Sequence, residues 1–291
     1  MDKQSIGAIS TFISRLKNIK PKEGHSLFYR GHSDSSYEAI PAIYRHIDSD
    51  QSKDKFVAKE DYLFRSMITQ CPSEFANCAS TFDHLVKMQH YGLPTRLLDI
   101  TSNPLVALYF ACCSKYGAGG TSGEVLVYEI PDAETKFYSS DTVSVVSNVA
   151  KVSITFDFKK EGTKFLHEIM AEKPYFRDEV KEEHLHSVFC VKPKLDNQRI
   201  IKQSGAFLLF GYDRNKNDPA QIPDKYLYKE DNKPVGLPIV LNGKTKILKE
   251  LADLSISEAT LFPEIDNVAK FLKESLTAEE SQNPPPILDD W

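Results

Sequence analysis

QHYGLPTRLLDITSNPLVALYFA, residues 89–111, joins two kinds of apolar run at a polar hinge. TRLLDI is short, unbroken and bounded by Pro94 and Asn103, which predicts a buried strand. Asn103 followed by Pro104 predicts a helix start, because proline at the first helical position gives up an N–H that has no partner there. The run that follows, PLVALYFACCSKY, is apolar nearly all round, so it predicts a helix inside the protein. A buried strand feeding a buried helix leaves Asp99, Thr101 and Ser102 at their junction. Short polar side chains there either cap the helix or coordinate an anion or a ribose.

Elements predicted on both sides fit this centre. Ile6, Ile9, Phe12, Ile13, Leu16 and Ile19 recur at helical spacing over residues 5–19. SLFYRGH reads as a strand ended by Gly31, with Arg30 just before the glycine. Arg30 is either a salt-bridged surface residue or a guanidinium aimed at an anion. A charged segment at 46–60 precedes a helix holding Tyr62, Leu63, Met67 and Ile68. Thr81 is the expected cap of FDHLVKMQHY, and Gly92 its stop. GAGGTSG is a turn and EVLVYEI a strand. The stretch 132–185 is mixed and charged, with helix expected near 160–170. VFCVKPK, GAFLLFG and LPIVLNG read as strands, and KTKILKELADL is expected to begin as one. ATLFPEIDNVAKFLKESL ends in a helix, and SQNPPPILDDW is a loose tail. No fixed-period repeat occurs. Helices and strands mix without a βαβ rhythm, which predicts an α+β fold with a mixed sheet flanked by helices.

Composition narrows the function. Hydrophobic residues make up 41% of the 291, enough for a substantial core. A net charge of −5 without basic clustering argues against a protein that coats DNA. Five cysteines with no CxxC pair suggest reduced thiols rather than a disulfide framework or a zinc ribbon. The first twenty residues lack a signal-peptide core. The longest apolar run, Leu105 to Cys113, is too short to span a membrane, so a cytoplasmic protein is expected. Glu183, His184, His186 and Cys190 do not form a complete metal-ligand pattern. Gly117–Gly123 lacks the lysine of a phosphate loop.

FYRG at 28–31, QHYGLPTRLLDITSNPLVALYFA at 89–111, NQRIIKQSGAF at 197–207 and TLFPEID at 260–266 together resemble the FRG-domain family, over about residues 5–275. Residues 276–291 are then a tail. Ile100 stands where that family commonly has tryptophan. A more distant resemblance is to ADP-ribosyltransferases. FYRG is similar to their first strand, and ITSNPLVALYFA to their Ser-Thr-Ser strand and helix. QSGAFLLF is the nearest counterpart of their third strand, with Gln203 where they carry glutamate.

This second resemblance implies a split sheet core and NAD as substrate, consumed by ADP-ribosyl transfer or hydrolysis in a toxin or phage-defence effector. The alternative it leaves is a non-catalytic nucleotide- or ligand-binding module. It implies catalytic roles for Arg30, His90, Asp99 and Gln203, with Arg30 also on phosphate. Gly31, Thr95, Arg96, Thr101 and Ser102 would join Arg30 in binding the nucleotide, Gly31 by letting its backbone approach the nicotinamide. The acceptor would be protein or nucleic acid, no metal is implied, and no membrane is involved.

Overall fold

Alternation along HSLFYRGH decides which residues each face of the central sheet receives. Phe28, Arg30 and His32 point one way, and Tyr29 and Gly31 the other. In the computed structural model, which describes residues 5–47, 55–177 and 179–263, this strand is β1 (His25–His32) and runs through Gly31 rather than ending at it. Before it comes α1 (Ile9–Leu16). After it come α2 (Glu60–Gln70), α3 (Pro72–Phe75), α4 (Thr81–His90), β2 (Leu97–Thr101) and α5 (Pro104–Cys112). Then follow β3 (Gly123–Pro131), β4 (Lys136–Phe137), α6 (Asp141–Asn148), α7 (Phe158–Glu172), α8 (Glu182–Leu185) and β5 (Val188–Lys192). The described chain closes with α9 (Gln198–Lys202), β6 (Gly205–Phe210), a small hairpin of β7 (Lys229–Glu230) and β8 (Lys233–Pro234), β9 (Gly236–Ile239), α10 (Leu241–Asp253) and α11 (Glu258–Leu261).

Seven strands form one mixed sheet in the order β4-β5-β6-β2-β1-β3-β9, antiparallel except for the β4–β5 pair. The α+β expectation is met in this form. One face carries Tyr29, Val125, Val127 and Leu237 under α1, α5 and α10. Farther along the same face, Leu97, Phe207 and Leu209 lie under α4 and α6. The other face carries Phe28, Leu98, Ile100, Tyr128 and Leu208. Short helical turns and loops cover it with Ile43, Tyr44, Val57 and Tyr226.

Local chemistry explains the boundaries. Asn103 caps α5 by accepting from the Leu105 N–H at 3.0 Å, with Pro104 behind it. Ser80, not Thr81, caps α4, accepting from the Asp83 N–H at 3.1 Å. The Thr81 hydroxyl instead donates to Glu172 at 2.5 Å, which ties α4 to the end of α7. KTKILKELADL does not begin as a strand. Gly243, Lys244, Ile247 and Leu251 are buried at helical spacing within α10, and this periodicity overrides any strand preference. The fully buried Lys244 ammonium donates to the carbonyls of Ser33, Ser114 and Lys115, so all three of its protons are used. The helix expected beyond TLFPEID and the boundary at residue 275 lie outside the described residues.

A buried ionic trio joins the sheet to α2. Arg96, fully buried, donates Nε to Glu60 Oε1 at 2.9 Å and Nη1 to the Phe210 carbonyl at 2.7 Å, and its Nη2 pairs with Glu60 Oε2. Lys216 reaches the same carboxylate at 3.0 Å. Burial pushes the Glu60 carboxyl up, but Arg96 and Lys216 outweigh it and hold the pKa below its ordinary value. A group with a lowered folded pKa contributes stability above its unfolded pKa and loses it as pH falls through the folded value. Glu60→Gln leaves two buried cations unbalanced. It is expected to lower unfolding free energy by about 3–5 kcal/mol near neutral pH and to flatten the acid limb of stability, both measured by urea titration across pH.

Candidate functional site

β1 and β2 are neighbours in the sheet, yet one residue pair registers them, Tyr29 opposite Thr101. Beyond it the strands part. The half-buried Arg30 crosses the opening, its Nη1 donating to the Asp99 carbonyl at 2.7 Å and its Nε to His32 Nε2 at 3.0 Å. His32 therefore accepts through Nε2, the neutral ring form. Burial, then Arg30 and Arg45, push its pKa down to about 4. Burial also lowers the Arg30 pKa, against the opposing pull of Asp99. This opening coincides with the seam between the apolar cluster under α5 and the one under α4.

At the seam lies a cavity of about 180 Å³. Its walls include Arg30, Gln89, His90, Asp99, Thr101 and Gln203, with Phe110 and Arg199 at the side of α5 and α9. The exposed Asp99 carboxylate accepts from Gln89 Nε2 at 2.7 Å, and the Thr95 hydroxyl donates to Gln89 Oε1. Thr95 thus fixes the amide that fixes the carboxylate. His90 Nδ1 accepts from Asn197 Nδ2 at 2.6 Å, which puts the ring proton on Nε2. Its ring stacks on Tyr91 with centroids 5.1 Å apart.

α9 and the turn into β6 supply further wall residues, and the described C-terminal segment packs behind them. Gln203 Nε2 donates to the Leu261 carbonyl at 3.1 Å, which leaves its carbonyl oxygen as the amide's acceptor. Phe262 packs edge-on against Phe110 at 6.0 Å and lies 4.6 Å beneath the Arg199 guanidinium. Ser204 adopts φ +47°, a left-handed conformation uncommon outside glycine, which turns the chain sharply between Gln203 and β6.

Several residues expected at the site are spent elsewhere. The Thr101 hydroxyl donates to the Gln203 carbonyl at 2.6 Å and accepts from the Asn103 N–H at 3.0 Å, so it joins β2 to β6 while lining the cavity. Ser102 is exposed, bonds the Ser204 carbonyl through its N–H at 3.2 Å and is not part of the wall. Arg96, held by Glu60 in the interior, is not at the cavity, and Thr95 acts through Gln89. Gly31 lines the cavity, but what approaches its backbone is α5. A Cβ there would lie 2.0 Å from the Ala107 carbonyl oxygen and 2.6 Å from the Ala111 nitrogen. Gln89, Asn197 and Arg199 were not singled out from the sequence. Asn197 follows the ordinary capping pattern, accepting from the Arg199 N–H at 2.7 Å, and only the fold turns its amide toward His90.

Among the described residues no helix is long and apolar enough to cross a membrane, and no group of three His, Cys, Asp or Glu side chains could hold a metal ion. Residues 25–118 match the family model of the FRG domain, which supports the FRG family. The match runs from the start of β1 to just past α5, taking in Arg30, His90, Asp99 and Thr101 but not Gln203. No curated protein and no solved structure matches the chain. Gly31→Ala is expected to cost about 3 kcal/mol through a backbone clash that no side-chain rotation relieves. Thermal melting beside Gly24→Ala, where an added Cβ meets nothing within 4 Å but φ is +69°, separates this clash from backbone strain alone.

Proposed function

We propose, with the FRG domain match over residues 25–118 as premise, that the cavity takes the nicotinamide–ribose end of NAD and supports ADP-ribosyl transfer or NAD hydrolysis. The supporting observation is convergence. Arg30, His90, Asp99 and Gln203 come from four separate segments and meet around one cavity. Such meeting of distant polar side chains in a partly apolar hollow is how binding sites are built. About 180 Å³ is below the ~300–1,000 Å³ of pockets that enclose a drug-sized ligand, so one end of a dinucleotide fits and the rest lies outside.

The reaction needs little machinery. The bond between ribose C1′ and the pyridinium nitrogen breaks, and its electron pair leaves with neutral nicotinamide. The ribose becomes oxocarbenium-like, and Asp99, the carboxylate in the wall, stabilises that positive charge. Water or an acceptor nucleophile adds to C1′ and gives up its proton to the Asp99 carboxylate. The acceptor, if not water, is a protein or nucleic acid, and such chemistry suits a cytoplasmic toxin or phage-defence effector. Gln203 stands where a glutamate would take the proton. Its amide does not ionise, but its carbonyl oxygen can hold a ribose hydroxyl. That amide favours a second reading, a nucleotide-binding module without turnover.

Pure protein incubated with NAD, with and without cell extract, separates the readings by free nicotinamide and labelled acceptor. Asp99→Asn keeps an oxygen for Gln89 and is expected to slow nicotinamide release at least about 100-fold with little change in melting. Gln203→Glu is expected to preserve or raise it. NAD binding without any release selects the binding module, and absence of NAD binding defeats both.

A further inference from the structure

Arg199 brings to the cavity wall a guanidinium that the chemistry proposed above leaves unused. It lies in the first turn of α9 and is half-buried, so it borders solvent as well as the cavity. Its Nη1 donates to the His90 carbonyl at 3.3 Å, which is long for such a bond, and no carboxylate among the described residues pairs with it. Phe262 holds it instead, with the guanidinium carbon 4.6 Å from the ring centroid. A cation over an aromatic face is attracted without spending an N–H donor, so this contact positions the group and leaves its donors free. Phe110, itself in the wall, braces Phe262 edge-on. Arg30 is placed differently, because two shorter bonds, at 2.7 and 3.0 Å, tie it to the Asp99 carbonyl and to His32.

We infer that Arg199 is the anion-binding residue of this cavity and takes a phosphate of a nucleotide's diphosphate group, which makes the site select nucleotides over free nucleosides. With His90 neutral, the charged side chains of the wall are Arg30, Arg199 and Asp99, two cations against one carboxylate. Arg30 is tied to the chain and Asp99 accepts from Gln89, so Arg199 is the wall cation left to meet an oxyanion. A guanidinium does so with two parallel charge-assisted hydrogen bonds, a geometry that an ammonium cannot reproduce. The polarity of the wall suits NAD, whose positive pyridinium and negative diphosphate lie on either side of a ribose. The pyridinium end belongs beside Asp99 on β2, and the diphosphate beside Arg199 on α9. A cavity of about 180 Å³ takes only one end of the dinucleotide, and a half-buried guanidinium can meet the part that stays outside.

This inference rests on the nucleotide reading of the cavity for its choice of ligand, so its test separates the phosphate from the rest. Inorganic diphosphate, ADP-ribose and nicotinamide riboside are titrated calorimetrically into wild type, Arg199→Gln and Arg199→Lys, each with a thermal melt. Arg199→Gln keeps an amide for the His90 carbonyl and removes the charge. It is expected to weaken diphosphate and ADP-ribose at least about tenfold, and nicotinamide riboside less than about twofold, at unchanged melting temperature. Arg199→Lys is expected to fall between, since it keeps the charge and loses the fork. If Arg199→Gln melts below wild type, Arg199→Lys carries the test by its greater loss on diphosphate than on nicotinamide riboside. Equal loss on all three probes overturns the inference in favour of a structural role through His90. No loss on any, with all three bound by wild type, overturns it and leaves the nucleotide reading in place. Diphosphate bound through Arg199, with ADP-ribose no tighter and nicotinamide riboside not bound, upholds the anion site and removes the nucleotide reading. Binding of none by wild type overturns both.

Discussion

The guanidinium of Arg30 stands where two adjacent strands stop pairing. A sheet that opens leaves main-chain carbonyls without ladder partners, and a carbonyl left so in a protein interior is costly. Arg30 supplies the missing donor to the Asp99 carbonyl, and its length lets it do so across a gap that an N–H could not span. The opening then persists as a hollow in place of collapsing into regular sheet. Asp99, whose carbonyl is bound from one side, presents its carboxylate to Gln89 on the other. One residue thus faces both the strut and the cavity.

What holds the opening in place lies behind it. α5 settles onto β1 and β3 at backbone distance because Gly31 and Gly123 have no Cβ. At Gly123 an added Cβ would lie 2.3 Å from the Ala111 carbonyl oxygen. Lys244 fastens α10 to the ends of β1 and α5, and the Glu60, Arg96 and Lys216 trio fastens α2 to β2. Both are buried charges, and each is satisfied by several partners, without which burial would carry a large penalty. The cavity is therefore set among several fastened elements, while Leu261 and Phe262 back its wall residues Gln203, Phe110 and Arg199.

Much of this was legible in residues 89–111, because each cue there is local. Asn103 and Pro104 start α5, and its all-round apolarity is matched by burial of Val106, Ala107, Leu108, Tyr109, Ala111 and Cys112. α10 was misread at its start because Lys244 looks like a surface residue until three distant carbonyls surround it. α6 fell within a stretch read only as mixed and charged, since Ser144, Ser147 and Asn148 interrupt its apolar pattern, yet all three are buried. The meeting of Arg30 with Asp99 was expected from the resemblance to ADP-ribosyltransferases. Arg96 was misplaced at the site because an arginine beside a strand has the same appearance whether its carboxylate partner is a ligand or Glu60. Arg199 and Asn197 became visible only when α9 was seen beside His90.

The central claim is that the opening between β1 and β2 is a nucleotide site. Hydrogen–deuterium exchange with and without saturating ADP-ribose tests it directly, because it maps protection onto particular segments. The account predicts slowed exchange at the end of α4, along β2 and through the turn between α9 and β6, with little change in α7 and α10. No protection at these segments, or protection confined to other parts of the chain, would contradict it.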